Sequence, residues 1–187
     1  VFSDATQFFW QGISPYTTEF VEAHGRYFLY SPVFTVLFAP FAYLPAWLGP
    51  FAWNLFNYSL FFMAIFTLPQ QFTQQQKCRM FLFLLLILGQ SLLSFQYNIT
   101  VAYLFLFAYT LLEKDRGFLA VLLIMISGCT KVYGIFELAL LLCYPHVWRN
   151  FGYAVTMGIV LLALPLIKIA PADLLPYYEE WCHSLAV

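Results

Sequence analysis

The sequence predicts an all-α polytopic bundle of transmembrane helices, entered through a polar first loop on the extracytoplasmic side. Three observations carry that prediction. Of 187 residues, 63% are hydrophobic, 21% aromatic and only 9% charged, too few charges to keep a domain of this length dispersed in water. The apolar residues come in long runs, almost unbroken from Ser31 to Pro69, with Lys and Arg confined to the short gaps between later runs. The first thirty residues depart from this pattern and set Asp4, Glu19, Glu22, His24 and Arg26 among Gly, Pro and Tyr. A formal net charge of −1 offers no basic field for nucleic acid, so that class of partner is set aside.

Taken in order, Ser3 to Gln11 reads as a short helix that Gly12 ends before a Ser14-Pro15-Tyr16 turn. Ser31 to Leu68 is long enough for two crossings, which would put the Lys77 loop outside; one crossing is preferred, because Pro32, Pro40 and Pro45 each remove a backbone donor and make Ser31 to Pro45 a re-entrant or interfacial helix. A bilayer needs ~20 apolar residues per helix. By that measure the spans are Ala46 to Leu68, Met80 to Phe95, Ile99 to Leu112, Phe118 to Thr130, Tyr133 to Tyr144 and Phe151 to Ile167. Several are short, as expected of helices that end at a water-filled cavity. The chain is one domain: loop 1–30, membrane helices 31–167 and an outer segment 168–187. Val1 in place of Met suggests a piece of something longer.

Pairing the spans as hairpins puts Lys77, Arg79, Lys114, Arg116 and Arg149 on the cytoplasmic side, five of the eight basic residues. The first loop, Gln96-Tyr97-Asn98, Lys131 and the tail from Lys168 then share the outer side. Cys78, Cys129, Cys143 and Cys182 have no metal-binding spacing and read as packing residues. The sequons at Asn57 and Asn98 lie in or against hydrocarbon and are discarded.

Several polar groups have a bland reading and a sharper one. Asp4 is either a helix cap or a general base, its pKa raised by apolar and aromatic neighbours. Arg26 either snorkels to headgroups or holds a lipid phosphate through paired hydrogen bonds. Gln96 and Asn98 either satisfy the open backbone of a turn or bind sugar hydroxyls. Lys131 stands at a break between two apolar arms, where an ionisable group is costly and usually faces a ligand, so its ammonium suits a phosphate near the outer leaflet. Glu137 lies six residues further on, about 240° around an α-helix, and is not expected to pair with it. The acidic, aromatic tail around Tyr177 and Glu180 reads as an interfacial surface helix.

Asp4 with Gly12-Ile13-Ser14-Pro15-Tyr16, then Phe28-Leu29-Tyr30-Ser31-Pro32, Gly89-Gln90 with Gln96-Tyr97-Asn98, and Lys131-Val132-Tyr133 run in one order along the chain. In that order they resemble the polyprenol-phosphate-mannose-dependent glycosyltransferases of family 87. Gly134 stands where that family often has proline, and Ser31 precedes a single proline where a pair is common. The resemblance implies a GT-C-like fold and transfer of a hexose, chiefly mannose, from a polyprenyl phosphate to a glycan or glycolipid acceptor outside a bacterial inner membrane. It implies Asp4 as base with inversion, Lys131 and Arg26 at the phosphate, and Gln96, Asn98 and Tyr16 at the sugars. No cofactor is expected. The outer carboxylates form no recognisable oxygen-ligand loop, which leaves a divalent metal open. Two rivals compete: a transporter or flippase of a lipid-linked solute, with Lys131 and Glu137 along its path, and a non-catalytic scaffold. A pocket shared by the polar groups favours the transferase, a through-path the transporter.

Overall fold

The computed structural model describes residues 1–94 and 96–186, and among these every regular element is helical. Helix α1 (Phe2–Gln11) stops at Gly12, whose φ of +83° turns its N–H back onto the Phe8 and Phe9 carbonyls. Helix α2 (Thr18–His24) starts where the Thr17 hydroxyl accepts from the Phe20 N–H at 3.3 Å, and ends at left-handed Gly25. The stretch after Ser31 bends into two short helices, α3 (Pro32–Leu37) and α4 (Ala39–Ala42), so the prolines act as expected.

The larger helices follow: α5 (Leu48–Phe66), α6 (Gln74–Leu93), α7 (Asn98–Glu113) and α8 (Gly117–Thr130). After a 3₁₀ segment, Val132–Cys143, come α9 (Val147–Leu162) and short 3₁₀ turns at Leu164–Ile167 and Pro171–Asp173; α10 (Leu174–Ala186) is last. The expected spans match these elements to within a few residues at most ends. The expected end at Phe95 lies outside the described residues. Among them, only Val147–Ile167, 21 residues, is long and apolar enough by itself to cross a membrane. Helices α7 and α8 and the 3₁₀ segment are apolar but shorter.

The 3₁₀ segment runs unusually close to α8. A Cβ on Gly134 would lie 2.5 Å from Ser127 Oγ and 2.6 Å from the Ser127 carbonyl carbon, so this segment is pressed against the α8 backbone where only glycine fits. With ~3 residues per 3₁₀ turn, Gly134 and Glu137 fall on one face, and Ser127 donates to Glu137 Oε1 at 2.8 Å. An α-helical spacing therefore misjudges the angle between Lys131 and Glu137. The conclusion drawn from it stands, because each has another partner.

Helices α7, α8 and α9 bury Ala108, Leu112, Val121, Ile124, Met125 and Ala154 between them. Against one end of this bundle sits an aromatic cluster of Phe20, Phe28, Phe34, Phe38, Trp53 and Tyr97 that carries the first loop. The outward faces are apolar too, including Phe51, Leu55 and Phe62 on α5, Leu82, Phe83 and Leu86 on α6, and Val155 and Ile159 on α9. Of the four cysteines only Cys129 is buried; Cys78, Cys143 and Cys182 are exposed, so the packing reading fits Cys129 alone.

The basic gaps gather at the other end of the bundle. The Gln71 amide donates to the Tyr109 hydroxyl, Tyr144 donates to Glu113, and Arg149 lies 3.7 Å from Asp115. Lys77 is not the solvated loop residue its sequence position suggests. It is buried, and its Nζ donates to the carbonyls of Phe66 at 3.3 Å and Leu68 at 2.6 Å, closing the C-terminal end of α5.

Candidate active site

The first loop is tied to the bundle at Ser31. Its N–H donates to the Thr130 carbonyl at 3.2 Å and its hydroxyl donates to the Cys129 carbonyl, so the loop meets α8 one residue before Lys131. The Thr130 hydroxyl in turn reaches the Tyr97 hydroxyl at 3.0 Å, which brings in the α6–α7 turn. Three chain segments thus converge: Tyr30 from the loop, Gln96 to Asn98 from the turn, and Lys131 from the end of α8.

Lys131 is the hub. Its Nζ donates to Asn98 Oδ1 at 2.9 Å, stands 3.5 Å from the Tyr30 hydroxyl, and lies over the rings of Tyr30 at 5.0 Å and Tyr133 at 4.7 Å. Tyr133 also donates to Asn98 Oδ1, and the Asn98 amide donates to Gln96 Oε1 at 2.8 Å. Partial burial pushes the lysine below its ordinary pKa, because the charged form loses water. Burial pushes the Tyr30 phenol up to about 12, so it stays neutral beside the ammonium.

A cleft of about 640 Å³ opens over this network, and Arg26, Tyr30, Trp53, Gln96 and Lys131 line it. Phe2 and Ser3 at the start of α1 line it as well. The expected Lys131, Arg26 and Gln96 therefore share one cavity, with Asn98 directly behind the lysine. Tyr16 is placed differently. It is buried, and its hydroxyl donates to the Tyr30 carbonyl at 2.8 Å, holding the loop that forms the cleft wall.

Asp4 sits beside the cleft without lining it. It lies in the first turn of α1, where a carboxylate suits the helix dipole, and the residue preceding the helix is Val1, so Asp4 is not the cap. Its Oδ2 is 2.8 Å from the Val1 backbone nitrogen and 3.3 Å from His24 Nε2. Partial burial raises the Asp4 pKa and the facing His24 ring lowers it. His24 is the residue that sequence reasoning missed here, because the pairing crosses twenty positions and no local spacing announces it.

Residues 28–186 match the family model described as glycosyltransferase family 87. The chain belongs to glycosyltransferase family 87. The matched span contains Tyr30, Gln96, Asn98, Lys131 and Tyr133, while Asp4, Tyr16 and Arg26 precede it. No curated protein and no solved structure gives a significant match. Membership makes this a glycosyltransferase, with a sugar donor and an acceptor. Among the described residues, no group of three or more His, Cys, Asp or Glu side chains is gathered to hold a metal ion.

Proposed function

We propose that this family 87 chain is a multi-pass membrane enzyme that moves a hexose, mannose first among candidates, from a polyprenyl phosphate to an acceptor hydroxyl. The acceptor is a glycan or glycolipid on the extracytoplasmic side of a bacterial inner membrane. One observation carries the reading: an ammonium with an incomplete set of partners faces a cleft that also holds a guanidinium, an amide and aromatic faces. Cations suit the phosphate, and amides and rings suit the sugar. The apolar outer faces of α5, α6 and α9 support membrane residence, which a polyprenyl donor requires.

The acceptor oxygen attacks the anomeric carbon opposite the phosphate, and Asp4 takes the hydroxyl proton. The bond from the anomeric carbon to the phosphate oxygen breaks with its electron pair going to phosphate, and the sugar inverts. Lys131 and Arg26 stabilise the growing negative charge. Gln96 and Asn98 hold sugar hydroxyls and keep the lysine in place.

The cleft draws on the first loop, the start of α5, the α6–α7 turn and the end of α8, all at one end of the bundle. That one-sided opening supports transfer over a transport path. The test is a reconstituted chain given radiolabelled polyprenyl-phosphate mannose, with the glucose analogue in parallel. Asp4→Asn is expected to lower transfer by ~100-fold or more without changing membrane insertion. Substantial activity in Asp4→Asn rejects Asp4 as base, and no turnover of any polyprenyl-phosphate sugar by the unaltered chain rejects the donor class.

A further inference from the structure

The reaction above uses Asp4 and leaves its neighbour His24 without a task, although α2 presents the ring to α1 in a defined orientation. His24 Nδ1 lies 2.9 Å from the Phe20 carbonyl and Nε2 lies 3.3 Å from Asp4 Oδ2. The ring stacks on Phe20 at 4.1 Å with 21° between planes, and meets the edge of Phe8 at 6.3 Å. Two aromatic contacts and a backbone carbonyl therefore fix which nitrogen faces the carboxylate.

Those contacts dictate the protonation pattern. A carbonyl oxygen only accepts, so Nδ1 carries a hydrogen and donates to Phe20. In a neutral ring Nε2 is then a bare lone pair facing a carboxylate oxygen, and that contact becomes attractive once a proton lies between them. Asp4 and His24 thus have room for one shared proton.

We infer that His24 is a positioning residue for Asp4, and that its Nε2 receives the proton Asp4 takes from the acceptor. This rests on Asp4 being the base. In the balanced step the acceptor O–H breaks, its oxygen bonds the anomeric carbon, and the phosphate leaves with the electron pair of the old bond. The proton passes through the carboxylate to Nε2, so Asp4 ends ionised and His24 ends as imidazolium. His24 is partly exposed and returns the proton to water before the next turnover. A ring already protonated cannot take a second proton at Nε2, so the relay needs the neutral ring and transfer falls on the acid side of its profile.

The groups facing the ring are few. From α1 come the Asp4 carboxylate and the Phe8 ring; α2 supplies Phe20. Among the described residues no second ion pair reaches His24.

Two measurements on the full chain test the inference. In the first, histidine is isotope-labelled, the His24 signals are assigned by their loss in His24→Gln, and nitrogen NMR at alkaline pH reads the tautomer. Hydrogen on Nδ1 is expected, and hydrogen on Nε2 overturns the assignment whether or not transfer is measurable. In the second, His24→Gln keeps a polar group but cannot titrate. Its kcat/KM at pH 7.5 is expected to fall about tenfold or more with the donor KM unchanged, and its acid limb to flatten. A His24→Gln profile that parallels the unaltered chain overturns the relay. Should His24→Gln fail to fold, His24→Asn takes its place in both measurements. A chain that turns over no donor defeats the proposed function and leaves the tautomer result standing.

Discussion

Lys77 and Lys131 each bring an ammonium to the end of an apolar helix, at opposite ends of one bundle. Lys77 is 5% exposed, and two backbone carbonyls at the end of α5 take its hydrogens at 3.3 and 2.6 Å. Lys131 has one close acceptor, the Asn98 carbonyl oxygen at 2.9 Å, and otherwise two aromatic faces and a distant phenol. An ammonium carries three donors, so Lys77 is nearly satisfied by its own fold whereas Lys131 retains capacity directed at a cleft. Saturation by backbone suits a structural lysine; an unsaturated set of partners beside open volume suits the binding role proposed for Lys131. Burial alone would have ranked them the wrong way round.

The largest effect separating the two comes from removing each charge. Lys131→Met is expected to reduce transfer by ~100- to 1,000-fold, as loss of a preorganised donor to a developing anion does, with little change in unfolding temperature. If instead it unfolds the chain with activity per folded molecule intact, the contrast with Lys77 is broken. The lowered pKa of Lys131 adds a sign: its charge is lost at a lower pH than an ordinary lysine's, so donor binding weakens early on the alkaline side. Equilibrium donor binding across alkaline pH checks this.

Next comes Gly134→Ala, which tests how Lys131 is presented. The new Cβ would fall 2.6 Å from the carbonyl carbon of Ser127 and 2.7 Å from its oxygen, backbone atoms that cannot rotate away. Separating the 3₁₀ segment from α8 is expected to cost about 2 to 3 kcal/mol. It should also displace Tyr133 from the ammonium. Chemical unfolding in detergent reads the first effect and donor KM the second; an unchanged midpoint would mean the close approach is not needed.

Lys77→Met should do the reverse of Lys131→Met. It strips two carbonyls of their buried partner and is expected to cost about 1 to 3 kcal/mol of stability, while the folded fraction transfers sugar at the unaltered rate. A drop in kcat without a drop in stability would give Lys77 a functional role that its contacts do not suggest.

How far this division was legible beforehand depended on the range of the cause. Gly12 ending α1, the prolines breaking Ser31 to Pro45 and the gap at Lys131 are set by a residue's own backbone, and the chain spells them out. The meeting of Arg26, Gln96 and Lys131 followed from helices alternating in direction, a rule that needs only their number. Lys77 reads as one more basic gap residue, because whether its ammonium folds back onto α5 depends on the turn between α5 and α6. The 3₁₀ form of Val132–Cys143 depends on Gly134 meeting Ser127, and the Asp4–His24 pair depends on how the first loop packs. Both are tertiary facts without a local signature.

The smallest effect falls on Tyr133→Phe, and it sharpens what Lys131 requires. This change keeps the aromatic face beside the ammonium and removes only the hydroxyl that donates to Asn98 Oδ1. Asn98 Oδ1 also accepts from Lys131, so losing one of two donors lets the amide rotate without leaving a buried group bare. Tyr133 is exposed, which limits the cost to about 1 kcal/mol, a three- to tenfold rise in donor KM with kcat nearly unchanged. Tyr133→Leu removes the ring as well and should add a similar loss, since a cation over an aromatic face contributes ~0.5 to 1 kcal/mol at an exposed site. Equal effects from Phe and Leu would mean that the hydroxyl alone matters and that the ring takes no part in holding the charge. A graded series would mean that the lysine is poised by the faces around it, which is the respect in which it differs from Lys77.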